Sequence, residues 1–345
     1  MSSGELSLNE IALKMVAPGK GILAADESSG TIKKRFDTIS LVSTEQARRD
    51  YRELLFRSTD AMQKYISGVI LYDETIRQNA ADGTPLTELI RQAGAIPGIK
   101  VDQGAKALPF LADETITEGL DGLRERLAEY HRLGARFAKW RGVIAITAHA
   151  PSRYAIHANA NALARYAALC QEAGIVPIVE PEVLADGEPG DHSIERCAAV
   201  TGDTLDEVFN ALRLAGVALD GMILKPNMVL PGVRAARQAS VTEVATATIA
   251  CLRETVPAAV PGIAFLSGGQ TDEQATAHLS AINSAGPLPW GVTFSYGRAL
   301  QAAAIRAWGG KPENIPAAQA AFTHRARMNS LAALGKWTQE QERAA

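Results

Sequence analysis

Lysine, glutamate and aspartate recur in this chain at the ends of short apolar runs, a placement suited to nucleophilic and acid–base chemistry. The clearest case is Met222-Ile223-Leu224-Lys225-Pro226, a buried-type strand that ends on a lysine. A lysine there is costly to bury. Taken alone, it reads as one that has simply reached water at a strand end. Other apolar runs end in the same way and supply Asp26, Lys100, Lys139, Arg141, Glu180, Glu182, Ser267, Ser295 and Arg298. Strand side chains alternate with period two, so Lys139 and Arg141 share one face, and Glu180 and Glu182 share another. Trp140 and Pro181 point the opposite way. An inward pair of cations beside an inward pair of carboxylates is costly unless it is solvated or used. One such pair reads as a structural ion pair, whereas the series reads as a polar cavity.

Within that cavity Lys225 is the best nucleophile. A free lysine has a pKa of about 10.4, so roughly one in a thousand is neutral at pH 7. Burial and a neighbouring cation such as Lys139 favour the neutral amine, while Glu180 and Glu182 favour the charged form. A neutral amine adds to a ketone and gives an iminium, which serves as an electron sink. Carboxylates must then move protons, and Glu180, Glu182 and Asp26 are the candidates. Ser267-Gly268-Gly269 precedes a capped helix and offers free backbone N–H groups to an anion. Ser295-Tyr296-Gly297-Arg298 adds an arginine able to grip two oxygens. In a barrel, the loops after strands seven and eight are the usual phosphate site. Ser28, Thr31, Lys34, Arg35, Lys100 and Arg141 could hold a second phosphate across the mouth. The plainer alternatives are tight glycine turns for the first set, and a solvated helix face for Lys34 and Arg35.

The elements that must position these residues are legible as a series. Eight short apolar runs lie near 21–25, 68–72, 96–102, 137–144, 175–182, 222–225, 262–266 and 291–298. Helical material separates them. Capping boxes at Ser7/Glu10, Ser240/Glu243 and Thr271/Gln274 mark helix starts, and a second helix is expected to open at Ser43-Thr44. Ser28-Ser29-Gly30-Thr31 reads as a small polar loop. The alternation predicts a (β/α)8 TIM barrel, one domain over 1–345, with an N-terminal helix 7–17 and a short polar tail 336–345. A doubly wound open sheet is the alternative, but no GxGxxG turn follows the first strand.

Composition narrows the function classes. The chain has 345 residues, 47% of them hydrophobic, and a formal net charge of -3. That balance carries no electrostatic footprint for nucleic acid or a membrane surface. Its 3 cysteines form no CxxC pair and point to a reducing compartment. Its 6 histidines show no HExxH or Cys/His cluster, so no metal is expected. The first residues have no apolar signal core, and no run of about 18 apolar residues could span a bilayer. The cytoplasm is the expected location.

The segments GILAADESSGTIKKR, GIKVDQG, FAKWR, IVPIVEPE, ILKPNMV, FLSGGQ and TFSYGRALQ together resemble class I fructose-1,6-bisphosphate aldolase. The likeness runs from Gly19 to about Lys336. It implies that Lys225 forms a Schiff base with the C2 ketone, and that Glu180 is the general acid/base for its formation and hydrolysis. It implies that Asp26 takes the C4 hydroxyl proton, that Lys139 assists electrostatically, and that Glu182 helps position the lysines. Ser267, Gly268, Gly269, Ser295, Gly297 and Arg298 would hold the C1 phosphate. Ser28, Thr31, Lys34, Arg35, Lys100 and Arg141 would form the C6-phosphate region. The family needs no metal or other cofactor, acts on small sugar phosphates and is typically a homotetramer. Well-known members carry a flexible tail ending in tyrosine. Here no tyrosine follows Tyr296, and cleavage is expected to survive with another group or solvent moving the C3 proton. The alternatives are a Schiff-base aldolase preferring a sugar monophosphate, and a non-catalytic binding protein on the same scaffold.

Overall fold

The computed structural model describes residues 6–343. Its strands are β1 (Gly21–Ala25), β2 (Ile66–Leu71), β3 (Ile96–Lys100), β4 (Ala105–Leu108), β5 (Leu111–Thr117), β6 (Phe137–Ile144), β7 (Val176–Val183), β8 (Ile223–Leu224), β9 (Gly262–Phe265) and β10 (Gly291–Tyr296). All but β4 and β5 lie parallel and close on themselves in the order β1-β10-β9-β8-β7-β6-β3-β2. With helices in the connections, this is the expected (β/α)8 barrel. Strand β8 is only 2 residues long, yet its direction continues through Lys225, whose N–H donates to Val179 O at 2.8 Å.

The structure departs from the sequence reading in two places that bear on the site. β4 and β5 form an antiparallel hairpin between β3 and β6, where no strand was expected. Its run Asp113-Glu114-Thr115 has too little apolar character to read as a strand, and its pairing is fixed from outside. Thr117 Oγ1 donates to Arg141 O at 2.6 Å, and Asn159 Nδ2 donates to Thr115 O at 2.8 Å. The expected loop at Ser28–Thr31 is instead the start of a helix, Ser29–Asp37, because the Ser28 hydroxyl caps it by accepting from Thr31 N. Ile32 and Phe36, one turn apart, bury its inner face. The second helix opens at Ser43-Thr44 as expected, with Thr44 as its cap, and runs Glu45–Phe56. The three capping boxes form as expected, at Ser7, Ser240 and Thr271. Within the stretch read as a polar tail, Gln339–Glu342 is a short helix, and Trp337 Nε1 donates to Glu342 at 3.0 Å.

The N-terminal end of the barrel is sealed by apolar groups. The first helix, Leu8–Met15, lays Ile11, Ala12 and Met15 against Ile22, Ile70, Phe137, Ile178 and Ile223. Each such side chain contributes roughly 1.5–3 kcal/mol on burial. Phe137 fills this layer so fully that a Cβ on Gly98 would lie 2.2 Å from its ring, and one on Gly68 2.9 Å. On the outer face of β6, Trp140 packs on Tyr166 of the helix Arg153–Glu172, with ring centroids 5.6 Å apart. The three cysteines are free and buried.

Candidate active site

The apolar layer gives way to ionic groups two residues further along the same strands. β6 turns Phe137, Lys139 and Arg141 to one side, and β7 turns Ile178, Glu180 and Glu182 to meet them. The register sets Arg141 opposite Glu180, so Lys139 reaches across to Glu180 and Arg141 to Glu182. Lys225, at the end of β8, is 4% exposed, and its Nζ lies 3.0 Å from Glu180 Oε1. Lys139 Nζ lies 2.8 Å from Asp26 Oδ2, 3.3 Å from Glu180 Oε2 and 3.9 Å from Asp102 Oδ2. Lys100 Nζ pairs with Asp102 Oδ1 at 2.8 Å, and Arg141 Nε with Glu182. The fold therefore brings Asp26, Lys139, Glu180 and Lys225 into one chain of contacts, with Glu182 beside it on Arg141. The strand ends they come from are far apart in sequence.

The charges in this chain are fixed by their neighbours. Burial alone would raise the Asp26 pKa, but the Lys139 charge, then that of Lys225, outweighs burial and holds the carboxyl well below its usual range. Burial would likewise lower the Lys139 pKa, but Asp26, then Glu180 and Asp102, push it well above its usual value. The Glu182 carboxylate does the same for Arg141. Lys139 is thus a permanent cation and Asp26 a resting anion. Glu180 lies between the two lysines. One of its oxygens faces Lys225, and the other sits beside Lys139 yet makes no hydrogen bond.

A cavity of about 800 Å³ opens over Lys139 and is lined by Asp26, Ser28, Thr31, Arg35, Lys100, Arg141 and Gly297 among others. Lys225, Glu180 and Glu182 stand behind this wall and connect to it through Lys139 and Arg141. Most of the second expected phosphate set is therefore gathered. Lys34 is the exception: it is exposed, off the buried stripe of Ile32 and Phe36, and does not line the cavity. Ser267, Gly268, Gly269 and Ser295 also lie outside the cavity wall. Ser267 and Ser295 are buried, and Ser295 Oγ has no hydrogen-bond partner. Gly268 is required by a close approach, since a Cβ there would lie 2.8 Å from Glu182 Oε1. Gly269 adopts φ +72°. Arg298 turns away, its Nη2 donating to Gln270 O at 2.7 Å, and it lines a separate recess of about 570 Å³ with Gly269.

Two residues at the site escaped the sequence reading. Asp102 joins Lys100, Lys139 and the Arg141 N–H, although its place two residues after Lys100 was a usable signal. Glu27 directly follows Asp26 and ion-pairs with Arg35, but its other partners are remote in sequence. Among the described residues, no helix is long and apolar enough to cross a membrane. Nor, among them, do three or more His, Cys, Asp or Glu side chains form a group that could hold a metal ion.

Comparison with known proteins places the chain in a family. The profile of the class I fructose-bisphosphate aldolases matches residues 7–345. A probable class 1 fructose-bisphosphate aldolase of Xanthomonas campestris is 56% identical over 331 residues, covering 96% of this chain and 98% of the relative. Fructose-bisphosphate aldolase C of Rattus norvegicus is 52% identical over 331 residues, 96% of this chain and 90% of the relative. Among solved structures, the aldolase of Plasmodium falciparum, in a ternary complex with TRAP and a small-molecule inhibitor, superposes with a TM-score of 0.93. It is 50% identical and covers 96% of this chain and 95% of its own. The chain belongs to the class I fructose-bisphosphate aldolase family.

Proposed function

We propose that Lys225 is the nucleophile in the family's reaction, the reversible cleavage of fructose 1,6-bisphosphate to dihydroxyacetone phosphate and glyceraldehyde 3-phosphate. The uncharged Nζ adds to the C2 carbonyl, and Glu180 protonates the departing hydroxyl, so that water leaves and an iminium remains. Asp26 accepts the C4 hydroxyl proton while the C3–C4 electron pair moves into the iminium. The aldehyde product departs and an enamine is left. Protonation at C3 and hydrolysis with Glu180 then release the ketone product and restore the amine.

Asp26 is a weak base at rest because Lys139 and Lys225 both lower its pKa. Forming the enamine cancels the positive charge on the Lys225 nitrogen. The proton affinity of Asp26 rises at the moment the C4 proton must move. Lys139 stays cationic throughout and steadies the carboxylates around it. Arg141 holds Glu182, which backs Gly268.

Ser267, Gly268, Gly269, Ser295, Gly297 and Arg298 are proposed to hold the C1 phosphate, with Arg298 releasing Gln270 O to join them. The partnerless Ser295 hydroxyl supports this reading. Ser28, Thr31, Arg35, Lys100 and Arg141, with Lys34 at the rim, are proposed for the C6 end. A cytoplasmic homotetramer is the form we propose, by analogy with the family.

One observation carries the chemistry: a single buried carboxylate, Glu180, stands between Lys225 and Lys139. Lys225→Met keeps the buried stem and removes the amine. It is expected to abolish cleavage while calorimetry still shows fructose 1,6-bisphosphate binding. Cleavage persisting in this variant at a tenth of the parent rate or more would refute the assignment.

A further inference from the structure

We propose that Glu27 is a positioning residue that sets the grip on the C6 phosphate by holding Arg35 against the cavity wall. The inference rests on the reading above that Arg35 meets this phosphate. Glu27 follows Asp26 at the end of β1 and is 7% exposed. Both of its oxygens are engaged. Oε1 lies 2.5 Å from Arg35 Nη1 and accepts from Gln301 Nε2 at 3.0 Å. Oε2 accepts from Arg52 Nη2 at 2.8 Å.

Arg52 and Gln301 are themselves tied to the strand. Arg52 Nε donates to Ala25 O at 2.9 Å, and Gln301 Nε2 to Ala24 O at 2.7 Å. The Tyr51 hydroxyl donates to Gln301 Oε1 at 3.1 Å. The Glu27 carboxylate is therefore locked to the strand that bears Asp26. Of the two arginines only Arg35 lines the cavity, as Glu27 itself does, with a side chain 22% exposed against 3% for Arg52. Its Nη2 lies 3.3 Å from where a Cβ on Gly297 would stand.

The charge count points the same way. One carboxylate serves two guanidinium groups, so the cluster keeps one positive charge in excess, and Arg35 is the arginine that carries it to the cavity wall. A carboxylate needed only to neutralise Arg52 would not have to reach Arg35. A guanidinium fork binds a phosphate well only when it is held in place, and the Glu27 carboxylate holds Arg35 by charge, at 2.5 Å from an Nη1 that makes no hydrogen bond.

The test compares kcat and KM for fructose 1,6-bisphosphate and fructose 1-phosphate in the parent, Glu27→Gln, Arg35→Met and the double variant. Glu27→Gln is expected to raise KM for the bisphosphate about tenfold, the loss of one charge-assisted contact, with kcat near the parent value. KM for fructose 1-phosphate should move much less, and the double variant should be no worse than Arg35→Met alone. An equal effect of Glu27→Gln on both substrates, or a fall in kcat alone, would show a merely structural role and overturn the proposal. If Arg35→Met leaves the bisphosphate KM unchanged, the phosphate reading of Arg35 fails and the proposal with it. Should Glu27→Gln not fold, Glu27→Asp keeps the charge but shortens the reach to Arg35. The same rise in the bisphosphate KM is then expected, and its absence is contrary.

Discussion

The two ends of the barrel are built from the same strands and do opposite things. At the N-terminal end, Phe137 meets Ile22, Ile70, Ile178 and Ile223 under the helix Leu8–Met15, and glycines at 68 and 98 make room for its ring. Two residues further along β6 the inward side chain is Lys139, which touches Asp26 and Glu180 and approaches Asp102. A step of two residues is about 6.6 Å along a strand. The barrel passes over that distance from a dry, shape-fixed layer to a layer of matched charges. The lower layer excludes water and holds the strands in register. The upper layer can then keep lysines and carboxylates buried in contact without each collapsing onto its own solvent. The chemistry at the mouth depends on the seal beneath it.

The largest expected effect comes from removing the shared proton carrier. Glu180→Gln keeps the shape of the upper layer but cannot shuttle a proton, and kcat should fall by about 10²–10⁴. The lower layer should be untouched, so the thermal midpoint should change little. A variant that loses stability in step with activity would show that Glu180 is chiefly a structural counter-ion.

The reverse experiment disturbs the seal. Gly98→Ala would place a Cβ 2.2 Å from the Phe137 ring and should cost about 1–3 kcal/mol by overpacking. Adding Phe137→Leu should recover part of that loss, as contacting residues do in a double-mutant cycle. Denaturant titration of the four proteins measures it. Simple additivity of the two changes would contradict the packing described.

A smaller effect tests the loop behind the mouth through pH. His278 pairs with Gln270 Oε1 at 2.6 Å, and Gln270 Nε2 donates to Ser267 O at 3.3 Å. Burial lowers the His278 pKa from 6.5 to about 4. The unfolded chain therefore takes up a proton that the folded chain refuses. The stability from neutral His278 is fully present above about pH 6.5 and is lost as pH falls toward 4, by at most about 1.4 kcal/mol per pH unit. His278→Asn should remove that component of the slope, read from unfolding midpoints across this window. An unchanged slope would show that His278 does not set it.

How much of this was legible in the sequence follows from the range of each interaction. The strands that line the barrel are short, apolar and locally bounded, so all eight were readable. The capping boxes at Ser7, Ser240 and Thr271 were readable for the same reason. The convergence of Asp26, Lys139, Glu180 and Lys225 followed from strand-end placement once a barrel was assumed. The β4–β5 hairpin was not readable, because polar residues carry it and its order comes from Arg141 O and Asn159. The helix at Ser29 was hidden by Ser-Gly-Thr, poor helix formers that only the Ser28 cap organises. Glu27 could not be placed because Gln301, one of its partners, lies 274 residues away. The outward turn of Arg298 depends on a backbone carbonyl, Gln270 O, that no residue pattern reports.

The most direct test of the account is borohydride reduction in the presence of fructose 1,6-bisphosphate, followed by peptide mass mapping. The account predicts a secondary amine carrying the sugar carbons at Lys225 and at no other lysine. Stable sugar on Lys139 or Lys100 with Lys225 unmodified would contradict it.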